Sequence, residues 1–146
     1  MAADAPKIAA ELRKLDAASP VYASTTVELL LTAAQEAGAS DLHLQPTPAG
    51  LEIRWRLDGV LQAVGEISRG SASDVVSRLK VLAELPTYRS DVPQEGRIRR
   101  EGERGRGGEG EKQNGSVEMR VSTFPTLHGE RAVVRLFAVV VDLGGE

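Results

Sequence analysis

Residues 41–64, DLHLQPTPAGLEIRWRLDGVLQAV, decide the architecture. Apolar and polar residues alternate there with the period of an extended chain. Leu42 and Leu44 share one face, as do Leu51, Ile53, Trp55 and Leu57, which leaves Glu52, Arg54 and Arg56 on the other. Two reversals interrupt the alternation. Thr47-Pro48-Ala49-Gly50 has the composition of a turn. Asp58-Gly59 is a two-residue hairpin signal, because both central positions of a type I′ turn need positive φ. In that hairpin Leu57 is expected opposite Val60 and Ile53 opposite Val64, so that the apolar faces coincide. Three strands joined by tight turns form an antiparallel meander, and its apolar face needs helices to cover it.

On the N-terminal side the period becomes helical. In TTVELLLTAAQEAG, residues 25–38, Val27, Leu30, Leu31 and Ala34 fall on one stripe, Thr25 and Glu28 have capping-box spacing, and Gly38 supplies the stop. Residues 5–17 carry a thinner stripe of Ile8, Leu12 and Leu15 behind Asp4 and Pro6, a weakly apolar helix or tether. On the C-terminal side SASDVVSRLKVLAELP, residues 71–86, predicts another helix. Ser71 and Asp74 stand at capping distance, Val75, Leu79 and Leu82 make the stripe with Arg78 beside it, and Pro86 ends it.

An irregular connection, TYRSDVPQEG, then leads to a strand at RIRR, residues 97–100. The following run through 102–115 is so rich in glycine and mixed charge that it reads as a flexible insert. Two more strands are expected near 116–123 and 130–138, joined by the turn-prone FPTLHG. The order is helix, helix, three strands, helix, three strands. It predicts an α+β domain with a mainly antiparallel sheet of about six strands and helices packed on one face.

The totals fit one domain, since 146 residues are too few for two good cores. The 18 basic and 21 acidic residues nearly balance, which argues against a general nucleic-acid binder. Fourteen of the basic residues are arginine, the side chain suited to forked contacts with phosphates and carboxylates. The lack of cysteine excludes thiolate and disulfide chemistry and suits a reducing compartment. Charges interrupt MAADAPKIAAELRKLD where a signal peptide needs an apolar run, and no stretch reaches the ~20 apolar residues of a membrane span. The expected setting is cytoplasmic.

Chemistry-bearing motifs are scarce. Of the two histidines, neither His43, two residues from Asp41, nor His128 sits in a HExxH or a ligand-spaced cluster. Hydrogen-bonding roles are expected of them, with no metal and no catalytic residue. GxSxG is absent, and none of the four lysines follows a glycine, so GxxxxGK[ST] is absent as well. Arginine is the remaining signal. Arg54, Arg56, Arg120, Arg131 and Arg135 fall on strand positions, and Arg97 opens the strand after PQEG. Such alternation suits a solvated polar face, and it equally suits a guanidinium comb for a phosphate or an acidic surface; spacing does not choose.

Four segments together resemble one family. ASDLHLQPTPAGLEIRWRLDGVL, SRLKVLAEL, VPQEGRI and MRVSTFPTLHGERAVVRL occur in the order and spacing of the second N-terminal domain of the type II secretion and type IV pilus motor ATPases, from about Val27 to Phe137. The resemblance implies a PAS-like fold beside a RecA-like motor domain that carries the Walker A loop. It implies a hexameric ring, inner-membrane platform proteins as further partners, and a place peripheral to that membrane. It also implies that arginines of this domain reach the γ-phosphate of ATP, with magnesium, held by the motor domain. By position these are Arg97 in PQEGR, Arg120 in MRVS, and then Arg135. Glu95 and Gln45 depart mildly from the family's usual Asp and Glu, and PTYRSD replaces a more usual acidic-basic segment.

The expected boundaries are 1–22 for the N-terminal helix or tether, 23–138 for the domain, 102–115 for the insert, and 139–146 for a tail that reads as cut off. Two functions compete. One is a regulatory and oligomerisation domain of a secretion or pilus motor, a fragment or split protein that lends arginines to ATP on a separate domain and binds no cofactor by itself. The other is a free-standing PAS-like adaptor that docks on a motor or membrane platform without touching nucleotide.

Overall fold

The computed structural model describes residues 4–101 and 116–136. The expected insert at 102–115 and tail at 139–146 lie outside the described residues. Helices α1 (Asp4–Lys14) and α2 (Tyr22–Ala37) precede strands β1 (Asp41–Thr47), β2 (Gly50–Leu57) and β3 (Val60–Ser68). Helix α3 (Arg69–Leu82) follows, then β4 (Gln94–Glu101), β5 (Ser116–Thr126) and β6 (Gly129–Leu136). The sheet order is β3-β2-β1-β6-β5-β4, every neighbour antiparallel. Each half is a meander. The second starts at the far edge and works inward, so its last strand, β6, pairs with β1 at the centre. The α+β class, the strand count and the single helical layer agree with the sequence.

One face of the sheet holds the core. Leu42, Leu44, Ile53, Trp55, Met119 and Val121 are buried there beneath Leu30 and Leu31 of α2 and Val75 and Leu79 of α3. Each such side chain contributes about 1.5–3 kcal/mol when fully buried. Helix α1 docks through Ile8 and Leu12, also part of this core. Its close approach to β3 needs Gly65, where a Cβ would stand 2.8 Å from the Leu12 Cδ1.

The hairpin is of the expected type, with φ of 52° at Asp58 and 80° at Gly59. Its register differs from the expectation. Leu57 does pair with Val60, but Ile53 pairs with Gly65, because a bulge opposite the Ile53/Arg54 step leaves Val64 unopposed. That extra residue resets the alternation, so Val64 and Ile67, three apart, both face the core. Val60 and Leu61 at the hairpin tip remain exposed.

Neither expected capping box forms. A turn in which the Ser19 N–H donates to Asp16 O and the Tyr22 N–H to Ser19 O winds the chain into α2 ahead of Thr25. Helix α3 begins directly off β3, with extended Ser68 as its N-cap and no side-chain cap bond. Glu28 instead accepts from Arg100 Nη1 at 2.7 Å, which ties α2 to β4. The C-terminal stops are of the Schellman type. Gly38 takes φ 78° after α2, and Glu84 takes φ 60° after α3, where the Leu85 N–H reaches Lys80 O at 2.8 Å.

Candidate functional site

Because side chains alternate along a strand, burying Ile98, Met119, Val121 and Val134 forces their neighbours onto the opposite face. Register then aligns those neighbours across the sheet. Arg97 of β4 stands opposite Arg120 of β5, and Arg120 opposite Arg135 of β6. Arg135 pairs with Asp41 of β1, and Asp41 with Arg56 of β2. Five strands thus set Arg97, Arg120, Arg135, Asp41 and Arg56 in a single row on the face away from the helices. The three positions inferred from family resemblance come together.

The strand that carries Arg97 is held by its neighbour in sequence. A Cβ at Gly96 would lie 2.6 Å from Ala83 O and 3.0 Å from the Leu85 Cδ2, so glycine lets β4 seat against the end of α3. Glu95, Gly96, Arg97 and Arg120 line a shallow hollow of about 270 Å³.

Like charges facing each other across a ladder repel. Interspersed carboxylates offset this. Glu118 accepts from Arg97 Nη1 at 3.2 Å and lies 3.8 Å from Arg99 Nη2, and Glu95 lies 3.8 Å from Arg120 Nη1. Asp41 accepts from Arg135 and from Arg56. The side chains of Arg97, Arg120 and Arg135 are 58%, 47% and 62% exposed. The open ion pairs of Arg97 and Arg120 are worth about 0–1 kcal/mol, so an incoming anion can exchange with them, whereas Asp41 holds Arg135 from a buried position.

The other strand arginines are engaged nearby. Arg54 pairs with Glu52 at 3.0 Å, and the Arg131 guanidinium stacks 5.6 Å from the centre of the Phe124 ring, its cross-strand neighbour. His43 sits on the same face, between Arg54 and Val133 in register. Burial pushes its pKa below the usual 6.5; Asp41 pulls it the other way, and Arg131, Arg56 and Arg54 add to the lowering. Its Nε2 is buried with no partner among the described residues. His128 lies exposed in the β5–β6 turn, away from His43. Among the described residues no three His, Cys, Asp or Glu side chains gather into a metal-holding group.

Two polar features escape sequence reasoning. Asp41 is the hub of the row, and Lys80 is a fully buried lysine paired with Glu130. The signal for Lys80 is its place one turn after Val76 on the buried side of α3. No helix among the described residues is long and apolar enough to cross a membrane.

A family model described as "Type II/IV secretion system protein" matches residues 16–143. Among curated relatives, the type II secretion system ATPase E of Vibrio cholerae is 43% identical over 111 residues, 75% of this chain and 20% of its own. The type II secretion system protein E of Pseudomonas aeruginosa is 40% identical over 111 residues, again 75% of this chain and 20% of its own. The type IV pilus assembly ATPase TfpB of Acinetobacter baylyi is 35% identical over 111 residues, 76% of this chain and 17% of its own. The chain thus spans about a fifth of the length of these relatives.

Proposed function

The chain belongs to the type II/IV secretion system protein family, as an N-terminal domain of such motors, and on that premise we propose that its arginine row meets the phosphates of ATP held by a separate RecA-like motor domain. The observation that carries this reading is the register Arg97–Arg120–Arg135 on the open sheet face. Adjacent strands lie about 4.8 Å apart, so three guanidinium stems span about 10 Å of rigid scaffold. Their forks suit phosphate oxygens, and the half-exposed ion pairs of Arg97 and Arg120 are weak enough to yield those two side chains.

The bound nucleotide, with its magnesium, would supply the phosphoryl chemistry; this chain's residues would supply orientation and positive charge. Arginine brought in from another domain in this way contributes about 10³ to 10⁵ in rate by neutralising oxygens that gain charge in the transition state. Engagement and release of the row would also link nucleotide state to rotation of the domain. In this reading the domain works in a hexameric ring at the cytoplasmic side of the inner membrane, docked on platform proteins, and hydrolyses nothing alone.

The test adds the purified chain to an isolated motor domain of a relative and measures ATP turnover. Stimulation is expected from the wild-type chain and is expected to vanish with Arg97→Ala and with Arg120→Ala while circular dichroism and melting stay unchanged. Stimulation that survives both substitutions overturns the proposal and favours an adaptor that docks without touching nucleotide.

A further inference from the structure

Asp41 differs from the other carboxylates of the row in depth and in grip. Its side chain is 11% exposed, and it stands at the sheet centre between Arg135 and Arg56. Oδ1 accepts from Arg135 Nε and Oδ2 from Arg56 Nε, each at 3.3 Å. Both bonds use the inner nitrogen of the guanidinium. The outer pair of amino groups is the end of the fork that meets a phosphate squarely. Glu118 does the opposite, since it accepts from a terminal nitrogen of Arg97 and so occupies a donor that an anion would need, and Glu95 lies on the terminal side of Arg120 at 3.8 Å. Arg56 has a second anchor, its Nη1 donating to Gly59 O at 3.2 Å, whereas among the described residues Arg135 has Asp41 alone.

Resting on the function proposed above, we infer that Asp41 is a positioning residue that holds Arg135 by its Nε and aims the free end of its fork at the anion shared with Arg97 and Arg120. A carboxylate suits this task because it has two acceptor oxygens and serves both guanidinium groups at once. An amide of the same shape has one acceptor and cannot. The buried site also explains why the aim persists when the outer ion pairs exchange, since Asp41 is shielded from the solvent and salt that weaken exposed pairs.

The test is a titration of the full chain with inorganic tripolyphosphate at low ionic strength, read by NMR at the arginine Nε–H groups. In the wild type the signals of Arg97, Arg120 and Arg135 move together and give one Kd. In Asp41→Asn the Arg135 signal leaves its carboxylate-bonded position and stops following the other two, and Kd rises about threefold to tenfold. Should Asp41→Asn fail to fold, Arg135→Lys decides, because lysine keeps the charge but has no Nε–H fork to hold. The inference expects Arg135→Lys to bind as weakly as Arg135→Ala. A wild-type Kd in Asp41→Asn or in Arg135→Lys overturns it and leaves the function of the row standing. If tripolyphosphate moves no arginine signal in the wild type, the function itself fails and takes this inference with it.

Discussion

The Lys80 ammonium on α3 lies 2.8 Å from Glu130 Oε2 on β6, and none of the lysine side chain reaches solvent. Glu130 Oε1 at 3.0 Å and Arg89 O at 2.6 Å complete three acceptors for its three donors. One charge therefore ties α3, the segment ahead of β4, and the end of the β5–β6 hairpin. Removing one partner of such a pair strands the other without solvent. Lys80→Ala and Glu130→Ala should each cost about 3–5 kcal/mol, and the double variant much less than their sum. Urea unfolding of all four proteins checks this; additive effects would refute the pairing as the source of the loss.

Gly96 is a packing requirement that also fixes Arg97. In Gly96→Ala the new methyl meets the backbone oxygen of Ala83 at 2.6 Å, and a backbone atom at a helix end cannot step aside as a side chain can. Strand β4 must shift outward and carry Arg97 with it. The expected result is a loss of about 1–3 kcal/mol in stability together with weaker stimulation of a motor domain. A variant as stable as wild type, with full stimulation, would show that the glycine is dispensable.

The meander at residues 41–68 is legible in sequence because its information is local. Period-two alternation names the faces, and Asp58-Gly59 names the turn. The bulge at Val64 leaves only a faint local trace, the glycine that follows it. The arginine row is of another kind. Alternation puts Arg120 and Arg135 on polar faces, and family resemblance singles them out with Arg97, but their alignment depends on pairings between distant segments. Asp41 and Arg135 are 94 residues apart, and Lys80 and Glu130 are 50. A one-residue slip in any ladder would turn these side chains to the other face, and no local pattern encodes that register. The capping boxes fail for the converse reason. Their local signal is present, but a preceding turn at α2 and a strand junction at α3 start each helix early.

His43 gives the fold a dependence on acidity. Burial holds its pKa below 6.5, so the unfolded chain takes up the proton first as pH falls. The stability owed to the neutral imidazole is complete above about pH 6.5 and is lost as pH falls from there through the folded-state pKa. Below that both states carry the proton and the loss levels off. Melting temperatures of wild type and His43→Gln measured across this range should therefore converge as pH falls. Parallel curves would remove His43 as the titrating group.

Arg120 faces an arginine on each side, Arg97 across one ladder and Arg135 across the other. Each like-charged pair works against folding by about 0.2–1 kcal/mol, and carboxylates such as Glu95, 3.8 Å from Arg120 Nη1, offset that repulsion. Arg120→Thr keeps a good strand residue and removes the central guanidinium of the row together with both like-charged pairs. The same substitution should abolish stimulation of the motor domain, because Arg97 and Arg135 then stand two strands apart with no charge between them. ATP turnover decides it, set beside circular dichroism and a urea midpoint that show the chain folded. Stimulation that survives in a folded Arg120→Thr would remove the central position from the work of the row.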